Sequence, residues 1–241
     1  MKKHLAILAA AAGSVSALSA QTSVQDDLSV STTFAFESAY VFRGVQRAEE
    51  TFMPAIDISS KGAYFGAWGA LPTGNYGDEL DLYGGYGFEV SELVSLDVGG
   101  TYYSYPTSED FDNDNTFEIY GGASFDVMFN PAVYVFYDFD LENLTVEGSA
   151  GYSYPLSDAA SLDATGYVGW VSLDEEGWNT AGTENFDDYF YYGVNLALSY
   201  ALAENASVSV YGNFAGSTEE QVFEYGDKNT IWYGLAVTTG F

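Results

Sequence analysis

The sequence predicts an all-β fold: a transmembrane, antiparallel, up-and-down β-barrel of about twelve strands. Three observations predict it. Apolar and small or charged residues alternate with period two, short connections alternate with long ones, and the chain ends on Phe241 behind an alternating apolar run. The first expected strand, residues 28–43, sets Leu28, Val30, Phe34, Phe36, Tyr40 and Phe42 on one face and Ser29, Ser31, Thr33, Ala35, Glu37 and Arg43 on the other. Strands at 52–60 and 63–71 follow, joined by a two-residue turn at Lys61-Gly62. The second contains "GAYFGAWGA", whose faces look alike. At 79–88, Leu80, Leu82 and Tyr86 alternate with Glu79 and Asp81, and at 93–105 Val94, Leu96, Val98 and Tyr102 alternate with Ser95, Asp97 and Thr101. Phe117 and Ile119 flank Glu118 at 116–126, and aromatic residues crowd the end of 132–139. The run 144–154 sets Leu144, Val146, Ala150 and Tyr152 against Thr145, Glu147 and Ser149; 161–171 carries Asp163. The last three strands are 189–201, with Leu196 and Leu198 against Asn195 and Ser199; 206–215, with Val208, Val210 and Phe214 against Ser209 and Asn213; and 230–241, with Ile231, Tyr233, Leu235, Val237 and Phe241 on one face.

A soluble β-sandwich would alternate in the same way. The membrane barrel is favoured by Tyr, Phe and Trp at strand ends, where interfacial girdles sit, and by frequent Gly within strands. No apolar run approaches the length of a helical span.

The opening "MKKHLAILAAAAGSVSALSAQTS" has a basic start, a short apolar core and small residues at its exit, the pattern of a secretory signal peptide. Residues 1–20 are expected to be removed, with cleavage after Ala17 fitting as well as after Ala20. Residues 21–27 then form a short periplasmic lead-in, and 28–241 the barrel. The expected location is the bacterial outer membrane.

Without the leader and its two lysines, four Lys/Arg face 35 Asp+Glu. Such a chain has no clustered cations for phosphate, so nucleic acid is excluded as a partner. Its aromatic content of 17% excludes acidic disorder. There is no Cys, and the single His, His4, lies in the leader. Disulfides, imidazole-based metal sites and Ser-His-Asp chemistry are therefore absent from the mature chain. A carboxylate-only glycosidase stays formally open, but no enzymatic activity and no cofactor are expected. The expected partners are outer-membrane lipid, small ions or solutes, and the barrel-assembly machinery, read by the terminal face of Tyr233, Leu235, Val237 and Phe241.

With the apolar face toward lipid, the lumen receives Glu37, Asp57, Glu79, Asp81, Asp97, Glu118, Glu147 and Asp163, with Arg43 among them. A one-residue slip would move all of these into hydrocarbon, at roughly 2–4 kcal/mol for a mid-bilayer Arg and somewhat less for a carboxylate. Summed over the set, that exceeds the whole stability of a typical domain, about 5–15 kcal/mol. Arg43 is expected to point inward near the outer mouth, either as part of a selectivity filter or as a tie between neighbouring acids. Twenty acids, Asp138 among them, fall in the long connections, where they would concentrate cations or simply form a solvated rim. Asp110, Asp112 and Asp114 alternate as in an EF-hand loop, but Asn115 and Gly121 stand where its Gly and bidentate Glu belong. That leaves at most loose divalent binding.

"ESAYVFRGVQ", "PAIDIS", "GAYFGAWGA" and "ELDLYGGYGF" together resemble the TorF family of outer-membrane porins, a bacterial family of unknown function. The likeness is densest over residues 33–105, and Tyr40 to Gly44 is its most specific element. It implies an outer-membrane barrel with presumed transport, and supplies neither substrate nor catalytic residues. The resulting expectation is a passive, cation-preferring channel for small solutes. A barrel closed by its own side chains, presenting acidic loops, is the alternative.

Overall fold

The computed structural model describes residues 28–107, 115–173, 177–178, 185–186, 188–219 and 228–241. The expected signal peptide and lead-in, and the Asp110–Asp112–Asp114 motif, lie outside the described residues. Sixteen strands follow in chain order: β1 (Ser29–Glu37), β2 (Tyr40–Phe42), β3 (Val45–Ala48), β4 (Thr51–Ser60), β5 (Ala63–Pro72), β6 (Glu79–Ser91), β7 (Val94–Ser104), β8 (Thr116–Phe125), β9 (Ala132–Asp138), β10 (Leu144–Pro155), β11 (Ala160–Ser172), β12 (Gly177–Trp178), β13 (Asn185–Phe186), β14 (Tyr189–Ala203), β15 (Ala206–Ser217) and β16 (Asn229–Gly240). Twelve of them, all but the pairs β2–β3 and β12–β13, form one closed antiparallel barrel in which β1 pairs with β16. No strand of the barrel is left with an open edge. Among the described residues there is no helix.

Closure is sealed at the terminus, where Phe241 N donates to Val30 O at 2.8 Å. At one rim the strands turn sharply. Lys61 and Gly62 both take positive φ, 51° and 90°, the two-residue turn whose twist matches a hairpin. The other rim carries the longer connections.

The alternation maps onto the wall as in and out. Phe34, Phe36, Leu80, Leu82, Val98, Ile119, Leu196, Leu198, Tyr233 and Leu235 are exposed on the outer surface, while Glu37, Asp81, Asp97, Glu118 and Asn195 are buried inside. A protein whose interior is more charged than its exterior is stable where the outer solvent is hydrocarbon.

The first predicted strand is the one that departs from this account. Residues 28–43 do not run as one strand: β1 stops at Glu37, and β2 and β3 form a separate antiparallel hairpin. Tyr40, placed by alternation on the lipid face, is buried at 2% exposure. The chain leaves the wall at Ser38, whose N–H donates to Tyr233 O at 2.9 Å. It rejoins the wall at Thr51.

Interior glycines also prove more specific than general tolerance of curvature. Tyr64, Tyr83, Tyr120, Tyr134, Tyr167, Tyr191 and Tyr211 each pair in register with a glycine on a neighbouring strand: Gly85, Gly66, Gly99, Gly122, Gly193, Gly169 and Gly234. Each ring lies over its glycine, so a Cβ at Gly169 would come within 2.2 Å of the Tyr191 ring. The missing side chain is what lets the ring lie against the wall.

Candidate functional site: a hairpin across the lumen

Residues 38–50 fold into the barrel instead of standing above it. Val41 and Ala39 pack with Tyr189, Tyr191, Val171, Ala215 and Trp232, and Tyr40 and Ala48 pack with Trp68, Met53, Ala70 and Tyr83. The two sides of the hairpin thus fill against opposite arcs of the wall. Its tip is Arg43-Gly44, with φ 48° and 73°, the same two-residue geometry as Lys61-Gly62. Gly44 is required twice, by its backbone angle and by contact: a Cβ there would lie 2.4 Å from Tyr191 Cβ.

That tip delivers Arg43 across the lumen. In the ring of twelve strands, β8 and β9 lie across from β1. Arg43 Nη1 donates to Glu118 Oε2 at 2.6 Å and Nη2 to Glu118 Oε1 at 2.8 Å, a bidentate fork. The guanidinium also lies 4.4 Å from the Phe136 ring centroid and 4.7 Å from that of Phe42. Tyr103 Oη donates to Glu118 at 3.1 Å. Arg43 points inward as expected, but from the tip of a hairpin and not from a wall strand.

The other predicted lumen acids are distributed around the wall, and most are held by hydroxyls. Glu37 accepts from Tyr211 Oη at 2.9 Å and Trp232 Nε1 at 2.7 Å. Asp57 accepts from Tyr83, Glu147 from Tyr191 at 2.7 Å, and Asp97 from Tyr64 at 3.0 Å and Tyr134 at 3.4 Å. Asp163 accepts from Ser153, Ser161 and Ser199. Glu79 and Asp81 stand two residues apart on β6, both buried facing the hairpin root, and their carboxyl groups share a side-chain hydrogen bond.

The residues missed by alternation are aromatic: Tyr103, Phe136, Tyr191, Tyr211 and Trp232. Each can be placed only once a strand's register partner is known. Asp138, counted among the loop acids, is buried at the end of β9, where it accepts the Leu141 N–H at 2.8 Å and caps the turn. Among the described residues no three acids gather as a metal cage. Tyr233, Leu235 and Phe241 share the outer surface of β16 and its end, at 69%, 47% and 64% exposure.

The interior changes character along the axis. Around the hairpin, Trp232, Tyr191, Thr51, Asp81 and Glu37 are all at 1% exposure or less. Toward the short-turn rim, the lining becomes Ser31, Ser59, Ser95, Ser124, Ser149 and Ser209, half-buried and small.

Comparison with known proteins agrees with this architecture. A family model described as a bacterial protein of unknown function, Gcw_chp, matches residues 21–209. No curated protein matches the sequence. Among solved structures, the NanC porin is 10% identical, with 87% of this chain and 98% of that one covered and a TM-score of 0.56. The KdgM porin in complex with disordered oligogalacturonate is 12% identical, covers 88% and 99%, and gives 0.54. These likenesses show a shared porin-type barrel fold. The narrower TorF designation rests on the sequence resemblance alone.

Proposed function

The chain belongs to the Gcw_chp family, whose function is open, and we propose from the barrel itself that it is an outer-membrane channel for passive diffusion of small solutes, favouring cations. The observation that carries this reading is the inversion of the wall: a closed apolar cylinder around carboxylates on β1, β4, β6, β7, β8, β10 and β11. A negative wall lowers the energy of cations in the lumen and raises that of anions. The porin-type fold supports the outer-membrane location, with residues 1–20 as the export leader and the β16 face around Phe241 as the assembly signal. No residue is assigned a catalytic role.

The hairpin sets the aperture in this reading. Arg43 and Glu118 contribute as a latch that holds it across the mouth, and the remaining acids contribute as the wall charge. Planar-bilayer recording in a salt gradient tests the proposal. The expected result is a small conductance with a reversal potential toward the cation equilibrium value; an anion-selective reversal potential defeats the selectivity.

One observation favours the second reading, a barrel closed by its own side chains and acting through its acidic loops. The Arg43 side chain is only 15% exposed and that of Glu118 3%, so the upper lumen is packed. A variant with residues 40–48 replaced by a short Gly-Ser linker separates the two. Conductance in the intact protein that rises when the hairpin is removed marks a channel whose aperture the hairpin sets; conductance only after removal, or silence in both forms, marks a barrel closed by its own side chains.

A further inference from the structure

The packed upper lumen is not equally deep on every strand. On β15 the inward residues are buried from Tyr211 to the long-loop end, and on β4 from Met53. Strand β10 differs. Its inward residues form a continuous open strip from the short-turn rim: Ser153 is exposed, and Gly151, Ser149 and Glu147 are half-buried. The strip ends at Glu147, the fourth residue from the other end of the strand, and Thr145 beyond it is sealed at 1% exposure.

The contacts of the hairpin account for the strip. Its flanks pack on β4–β6 and on β11 and β14–β16, and its tip reaches Glu118 on β8 and Phe136 on β9. In the ring, β10 lies between β9 and β11, in the gap between the tip and one flank.

Glu147 is the charge on this strip. The other glutamates and aspartate of the hairpin half, Glu37, Glu79, Asp81 and Glu118, are buried at 6% exposure or less. Each is already committed: Glu37 to Trp232 and Tyr211, Glu118 to Arg43, and Glu79 and Asp81 to one another. Asp163, beside the strip on β11, is buried and accepts from three serine hydroxyls. Glu147 Oε2 accepts from Tyr191 Oη at 2.7 Å, which fixes the carboxylate on the wall while leaving the residue open to the lumen. A carboxylate on the open strip acts on a passing ion at contact distance. Sealed acids act from farther off, across a salt solution that screens within about 8 Å at physiological strength.

We propose that Glu147 is the specificity-determining residue of the channel: the solute path runs along β10, and the carboxylate at the head of the open strip admits cations and turns anions away. This rests on the channel reading and assigns its charge preference to one side chain.

The chain has no cysteine, so Ser149→Cys, one inward step below Glu147, gives the barrel a single thiol on the strip. The refolded full barrel in detergent micelles is treated with two methanethiosulfonates of similar size, one bearing a trimethylammonium group and one a sulfonate. Mass spectrometry follows the modification, and each rate is divided by that reagent's rate with a free thiol in solution. The cationic reagent is expected to react at least about tenfold faster on this scale, and adding Glu147→Gln is expected to remove most of that ratio. A ratio that survives Glu147→Gln puts the preference on other acids and overturns the proposal. A thiol that neither reagent reaches means the strip is closed, and overturns it as well. In planar bilayers, Glu147→Gln is expected to lower the cation-to-anion permeability ratio at least about threefold, and Asp163→Asn to lower it less. A cation-selective wild type whose reversal potential Glu147→Gln leaves unmoved sinks the assignment and keeps the channel. A wild type that never conducts, with the thiol ratio as expected, sinks the channel reading and keeps Glu147 as the charge that governs entry to the lumen.

Discussion

The two halves of the lumen solve the problem of an enclosed polar surface in different ways. On the long-loop side, the hairpin of β2 and β3 displaces water, and charge is met by charge, as in Arg43–Glu118, or by an aromatic donor, as in Glu37 with Trp232 and Tyr211. On the short-turn side, small, half-buried serines line the wall and stay partly open to solvent. The same β-strands run through both halves. A given polar residue is therefore worth much more in the first half, where nothing replaces a lost partner, than in the second.

The largest expected effect is on the latch. Arg43→Ala leaves Glu118 buried without its partner, and the expected cost is about 3–5 kcal/mol in urea unfolding of the refolded barrel. Adding Glu118→Gln should recover most of that loss, because the second change removes the orphaned charge. A double variant as unstable as the single would show that the guanidinium acts by packing on Phe42 and Phe136 and not as a charge. Next comes the wall itself. Leu196→Arg, at the middle of β14 on the outer surface, should cost roughly 2–4 kcal/mol in the same assay carried out in lipid vesicles. An unchanged stability would mean that this face does not meet hydrocarbon.

A smaller effect sharpens the account of the upper lumen. Gly169→Ala places a Cβ against the Tyr191 ring and should cost about 1–3 kcal/mol, with loss of the Tyr191–Glu147 hydrogen bond visible as a change in Tyr fluorescence or ultraviolet absorption. The smallest belongs to the lower lumen. Ser149→Ala should stay within about 0.5 kcal/mol of wild type and leave conductance unchanged, because water replaces the hydroxyl. A large effect there would erase the contrast between the halves.

Much of the wall was legible because period-two alternation and the high cost of charge in lipid leave little choice of register. Glu37, Asp97 and Asn195 fall inside and Phe36 and Leu196 outside for that reason. Alternation does not reveal the hairpin, although a turn signal is present: Arg43-Gly44 has the same two-residue form as the turn at Lys61-Gly62. The difference is that Tyr40 and Phe42 continue the apolar alternation of β1 past its true end. A strand packed inside a barrel buries the same residue types as one facing lipid, so local pattern cannot tell the two apart.

The pairing of interior tyrosines with glycines was hidden for a related reason. Tyr191 and Gly169, or Tyr120 and Gly99, are about twenty residues apart in the chain and meet only through the strand register. Asp138 was misplaced because its alternation ends at a turn, where a carboxylate can cap backbone N–H groups as readily as face solvent.

The barrel, its strand count, its inside and its outside follow from period and charge, which are local properties of the chain, and from the dielectric of the surroundings. What fills the barrel follows from contacts in space: which carboxylate receives Arg43, which rings lie over which glycines, and that Glu79 and Asp81 meet at the hairpin root. Those are contacts between strands remote in the chain, fixed by closure and register, and no local pattern carries them.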